Sequence, residues 1–339
     1  MDLSSAPRFA LALLFLAPLA TAAPCAGQAG AACADAPRAR IVEQRRLDDE
    51  HLRDVLRPGV TLYEDLRLHR RFAFQPGDVL LVRSDELVSA AISQIATTPA
   101  FFSHIAIVGL DPQWQTLEVV EAGVDEGLRA TALDDWLDRG VVRFAVYRHE
   151  DAAIAERAAI AAYRDLMTRR DAALDYDLRF DLEDAAQLYC SEVVTRAFAA
   201  AAPGAPRVPA QLSDVGGLVD TFPLAALGVS GTQVFVPDDL ETDPRFVRVL
   251  ERRAPQALAR SAALDAALRA VFETLRGPGR ADLLAELDAG SPSPAGILPA
   301  LLHGSFSTWR RLPEPARSRL AVLARRVDED ARQRLASMP

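Results

Sequence analysis

Residues 184–194 read DAAQLYCSEVV. They place one thiol, Cys190, at the head of a run whose Val193, Val194, Ala197 and Phe198 recur at helical spacing before Pro203-Gly204 ends it. A free cysteine is among the most buried residue types, so a small hydrophobe in a core is its ordinary role. A nucleophile is the alternative, and it makes demands that the rest of the chain can be searched for. It needs a base within hydrogen-bond reach and a third group to orient that base.

Five histidines are available. His51 and His69 lie in arginine-rich, helix-like surroundings, His149 at a strand-to-helix junction, and His303 among C-terminal helices, and solvated positions account for all four. His104 differs because it opens the apolar strand SHIAIVGL (103–110), alternating onto one face with Ala106 and Val108. The chain contains no Asn, so the orienting group must be a carboxylate, a Gln or a backbone carbonyl. The following strand, TLEVVEA (116–122), puts Glu118 and Glu121 on opposite faces. Either face fits an inner position. Glu121 is preferred because it ends the strand beside Ala122-Gly123, where active-site groups commonly project. The Cys190 amide is one donor for an acyl oxyanion, and Tyr189, Tyr176 and Ser103 are the candidates for further oxyanion or substrate contacts. Zinc, redox CxxC, nucleophile-elbow and phosphate-loop patterns are absent from the sequence, so no metal or cofactor is expected.

Composition narrows the partners. The 339-residue chain has 50% hydrophobic and 25% charged residues, enough to bury a substantial core. Its net charge of -9 arises from 47 acidic and 38 basic residues, every basic one an arginine, which argues against nucleic acid as a partner. The N-terminus has the layout of a secretory signal peptide: Arg8, an apolar run from Phe9 to Leu19, then Ala20-Thr21-Ala22. Cleavage is expected after Ala22, giving a secreted or periplasmic protein with no transmembrane segment in the mature chain. Cys25 and Cys33 are expected to pair, which leaves Cys190 as the odd thiol.

Four segments follow: a signal peptide (1–22), a leader with a charged helical pattern at Ile41–Leu56 (23–75), an α+β domain (76–254), and a helical C-terminal extension (255–339). Within the domain, strands are expected at Val79–Val82, Ser103–Leu110, Thr116–Ala122, Val141–Arg148 and Val234–Val236. Helices are expected after Ser84, with Leu87, Val88, Ala91, Ile92 and Ile95 as the apolar face, over Asp151–Arg170 and over Leu188–Ala202. The extension should be dispensable for the site's geometry, since every candidate residue precedes it.

The series GDVLLVRS, FFSHIAIVG, LEVVEAG, YD, LYCSEVV and VFVPDDL (Gly77 to Leu240) resembles the circularly permuted papain-like cysteine hydrolases of the YiiX/YebB-like type, in the NlpC/P60 group. The resemblance covers about half the chain, Pro76 to Asp239. It implies a permuted papain-like core with an antiparallel sheet and packed helices, in which the His-bearing strand precedes the Cys-bearing helix. It implies Cys190 as nucleophile, His104 as base and Glu121 as orienting carboxylate. The expected activity is hydrolysis of peptide or isopeptide amides, with cell-wall peptidoglycan as substrate class. A lipid-directed thiol acyltransferase or lipase, and a non-catalytic binding module, are the alternatives.

Overall fold

The computed structural model describes residues 72–84, 87–95, 101–124, 126–137, 141–169, 176–184, 187–219, 224–290 and 313–337. The segment expected to be a signal peptide, nearly all of the expected leader with the helix expected at Ile41–Leu56, the cysteines Cys25 and Cys33 expected to pair, and His51, His69 and His303 lie outside them.

The chain is a mixed α/β protein. In order it forms β1 (Val79–Arg83), α1 (Leu87–Ile95), β2 (His104–Leu110), β3 (Leu117–Gly123), β4 (Gly127–Ala132), α2 (Leu133–Leu137), β5 (Arg143–His149), α3 (Ala152–Arg169), α4 (Cys190–Ala201), β6 (Ser213–Asp214), α5 (Leu224–Leu227), β7 (Gln233–Val234), a 3-10 turn (Pro237–Thr242), β8 (Phe246–Arg253), α6 (Pro255–Arg276), α7 (Arg280–Ala289) and α8 (Glu314–Ser337). The main sheet runs β4-β3-β2-β1-β5-β8, antiparallel at each pairing. Among the described residues no helix is long and apolar enough to cross a membrane.

The central strands carry their apolar residues on both faces because both sheet faces are covered. On one face Leu81, Ile105, Ile107 and Val120 pack under α3 and α4; on the other Leu80, Ala106, Val108 and Val119 meet Trp136 and Leu137 of α2. The α3 helix lies close to the sheet through Ala155, Ala158, Ala159 and Ala162. Gly77, at φ +82°, passes beneath it: a Cβ there would stand 2.2 Å from the Ala155 carbonyl oxygen, so only glycine fits.

A separate core joins α6, α7 and α8 to α1 and to Val215, Leu218, Val234 and Val236. In α1, Leu87, Ala90 and Ile95 are buried, while Ala91 packs only partly and Ile92 is half-buried. Asp85 and Glu86 lie outside the described residues, and the Ser84 amide donates to Ser89 Oγ at 3.1 Å.

Three boundaries differ from the sequence reading. Leu188 is held in a parallel bridge to Tyr176, and Tyr189 is extended (φ -115°, ψ 170°), so α4 begins at Cys190 itself. β4 and β8 are additional strands at the two sheet edges. His149 is not solvated: it is 6% exposed, stacked on Phe198 and met edge-on by Phe246 of β8, the strand that covers it.

Candidate active site

Three elements bring the predicted residues together. Cys190 is the first residue of α4, where the unsatisfied amides of the helix start favour negative charge. His104 is the first residue of β2, and Glu121 lies near the end of β3. The Glu121 carboxylate accepts from His104 Nε2 at 2.9 Å, and the imidazole is near enough to Cys190 for each group to shift the other's pKa. With Nε2 engaged by Glu121, Nδ1 is the ring nitrogen left for the sulfur. Glu118 is on the opposite strand face and half-buried, beside Ala132 of β4.

The electrostatics follow from these contacts. Burial pushes the Cys190 thiol up, but the hydrogen bond and charge of His104, then the Tyr176 hydroxyl and the Ile105 backbone, outweigh it and hold the thiol below its ordinary value. Burial likewise works against a charged His104. Hydrogen bonds and attraction to Cys190 and Glu121 prevail, and its pKa is pushed up to about 10. Both shifts favour the thiolate–imidazolium form of the pair over the neutral one.

The two tyrosines separate. Tyr176 donates its hydroxyl to Cys190 Sγ at 3.6 Å. Tyr189 is 1% exposed and packs edge-on against Phe180 in the core, with Phe235 near its hydroxyl. Ser103 does not present its hydroxyl to the thiol. It hydrogen-bonds to Ser89 Oγ of α1 and, at 3.4 Å, to the Val82 carbonyl.

Further residues supporting this arrangement are not evident from the sequence reading. Arg129, opposite Glu121 in the β3-β4 register, donates Nε and Nη2 to Glu121 Oε1 at 3.0 and 2.8 Å, and Trp136 Nε1 donates to Oε2 at 3.1 Å. Counting back from a hairpin turn at Gly123–Gly127 pairs Arg129 with Glu121, so recognising that hairpin would have found it. The buried Asp177 carboxylate accepts the amides of Arg179 (2.9 Å) and Asp181 (2.6 Å), fixing the loop before Cys190. Asp238 accepts the amides of Phe101 (2.7 Å) and Phe102 (3.0 Å), fixing the approach to His104. Asp239 takes the Ser213 amide and hydroxyl at 2.9 and 2.8 Å. The acidic pair in VFVPDDL is thus a set of loop staples. Among the described residues no cluster of His, Cys, Asp and Glu is grouped to hold a metal ion.

A reactive-type thiol on a helix start, served by a histidine from an earlier antiparallel strand, is the arrangement of a permuted papain-like cysteine hydrolase. The chain matches the permuted papain-like amidase family YaeF/YiiX, C92, over residues 73–250, and it belongs to that family. It is therefore a member of an amidase, or cysteine peptidase, family. Among solved structures it is similar to the metalloprotein yiiX from Escherichia coli O157:H7, at 20% identity and a TM-score of 0.41, covering 54% of this chain and all of that one. No curated protein matches.

Proposed function

We propose that this protein is an exported cysteine amidase in which Cys190, His104 and Glu121 act as a triad on peptide or isopeptide bonds of the cell-wall type. The observation that carries the reading is the His104–Glu121 hydrogen bond beside Cys190 at the start of α4, where the charge of His104 favours the thiolate. Family membership supports the amide chemistry. Export rests on the N-terminal sequence.

The geometry supplies each step. Cys190 Sγ attacks the amide carbon, forming the C–S bond while the carbonyl oxygen becomes an oxyanion. The Tyr176 hydroxyl beside the sulfur and the Cys190 N–H at the start of α4 are the donors for that oxygen. His104 gives its proton to the departing nitrogen as the C–N bond breaks, leaving a thioester. It then takes a proton from water, which attacks the thioester and returns the thiolate. Glu121 keeps the imidazole aimed and its charge compensated throughout.

Mass spectrometry of peptidoglycan-derived peptides incubated with wild type and Cys190→Ala tests this. New amide-cleavage fragments should form with wild type alone. Intact peptides with wild type, or equal cleavage by Cys190→Ala, would contradict it.

A further inference from the structure

Residues 101–104, which end in His104, are clamped from two sides. Asp238 holds the Phe101 and Phe102 amides on one side. On the other, the Ser103 amide donates to the Val82 carbonyl at 2.9 Å and its hydroxyl bonds to Ser89 Oγ. This second clamp continues outward. Arg83, whose side chain is 3% exposed, donates Nη1 to the Ser89 carbonyl at 2.5 Å. Its Nε donates to Ser261 Oγ at 3.2 Å and its Nη2 forms an ion pair with Asp265. Ser261 and Asp265 are on α6, beyond the family-matched residues 73–250.

A guanidinium at this depth is tolerated only when its N–H groups and its charge are compensated. The α6 helix compensates both, supplying partners for two of the three nitrogens and the carboxylate. The same helix shares an apolar core with α1, to which Leu264, Leu268, Leu87 and Ala90 all belong, and Arg276 Nη2 donates to the Gln94 carbonyl at 3.1 Å. If α6 let go, Arg83 would have to seek water, pulling on the Ser89 carbonyl and through Ser89 on Ser103, the residue beside His104.

We propose that α6 is part of the machinery that positions His104, acting through the buried chain Asp265–Arg83–Ser89–Ser103, with Asp265 and Arg83 as positioning residues. The proposal rests on the reading of Cys190 and His104 as the catalytic pair. It replaces the expectation that the C-terminal helices are dispensable for the site. It also gives Ser103 a role, as the last link before the histidine rather than a contact to substrate.

Thiolate absorbance of the full chain, titrated as a difference against its Cys190→Ser counterpart, tests the chain of contacts independently of any substrate. Asp265→Asn should raise the apparent pKa of Cys190 by about 0.5–1 unit, a 3–10-fold loss of thiolate at a pH below that pKa. Ser103→Ala should shift it the same way by less, and Asp265→Glu should return it toward wild type. Thermal unfolding of the same samples separates a structural role: an Asp265→Asn protein that melts earlier but keeps the wild-type thiolate curve would overturn the proposal. Should Asp265→Asn not fold, Ser103→Ala decides, because it removes a single hydroxyl and an unchanged curve would break the chain at its last link. His104→Ala, run alongside, reports on the catalytic pair separately. A curve indifferent to His104 sinks that pair, and the relay with it, whereas a curve that responds to His104 but to neither Asp265 nor Ser103 sinks the relay alone.

Discussion

Two glutamates, one on His104 and one two residues after Cys190, each have a side chain 2% exposed, yet their surroundings are opposites. Glu121 accepts from His104, from Trp136 and twice from Arg129. Glu192, in the first turn of α4, has Arg196 at 3.3 Å on one oxygen, and its other oxygen finds no hydrogen-bond partner among the described residues. Burial pushes the Glu192 carboxyl up to about 7, against the partial relief from Arg196. Burial of a carboxylate is therefore not the determinant of its role. What matters is whether donors have been arranged to keep it charged, and only the glutamate behind His104 has that arrangement.

The comparison can be broken first by deleting the saturated carboxylate. Glu121→Ala removes the partner of a partly buried guanidinium, of the Trp136 indole and of His104, and should lower unfolding free energy by about 3 kcal/mol in denaturant titration. An unchanged midpoint would mean that the donors around Glu121 contribute nothing net. Glu121→Gln is the subtler break. One end of the amide becomes a donor, and it must face either Arg129 or the His104–Trp136 pair, all of which donate. Turnover, once a substrate is in hand, should fall by about 100-fold, or ~2.7 kcal/mol of barrier, with the fold retained.

Smaller effects sharpen the contrast. Because the folded pKa of Glu192 lies above its unfolded value of about 4.5, its ionisation opposes folding. That cost is absent below the unfolded value, grows as pH rises, and is complete above about 7. Glu192→Gln should therefore stabilise the protein by about 1 kcal/mol at pH 8 and not at pH 4, read from paired thermal melts. A gain at both pH values would mean that charge is not the cause. Glu118→Gln, on the other face of β3, should change stability by no more than about 0.5 kcal/mol. A larger loss would show that the far face of the strand carries part of the support.

How much of this was legible in the sequence depends on how locally each feature is encoded. β1, β2, β3 and β5 were readable because burial on both faces leaves strand-length stretches rich in β-branched and apolar residues. β4 (GLRATA) is half-exposed along its length and β8 (FVRVLERR) carries charge at Arg248, Glu251, Arg252 and Arg253, so neither edge strand has that signature. Missing β8 also left His149 without the Phe246 that covers it. Few thiols and imidazoles and no Asn made Cys190, His104 and Glu121 candidates, with Glu118 as the alternative carboxylate, and the family resemblance is what gave them their roles. The assignment of Tyr176 rather than Tyr189 to the sulfur could not be read, because it depends on the bridge between Tyr176 and Leu188 that makes Tyr189 extended and turns its ring into the core. The attachment of α6 to Arg83 is a contact across 182 residues, with no local trace.

The charge state of the Cys190 sulfur decides whether the site has a nucleophile. Iodoacetamide labelling of Cys190, followed by peptide mapping across pH in wild type and His104→Ala, measures it most directly. With Cys190 paired to a His104 that stays protonated up to about pH 10, labelling in wild type should already be rapid near pH 6. The His104→Ala protein should need alkaline pH, because a helix start alone contributes only about 0.3–1 kcal/mol, less than one pKa unit. Slow labelling of the folded wild type at every mild pH, indifferent to His104, would make Cys190 a core side chain and remove the nucleophile from the site.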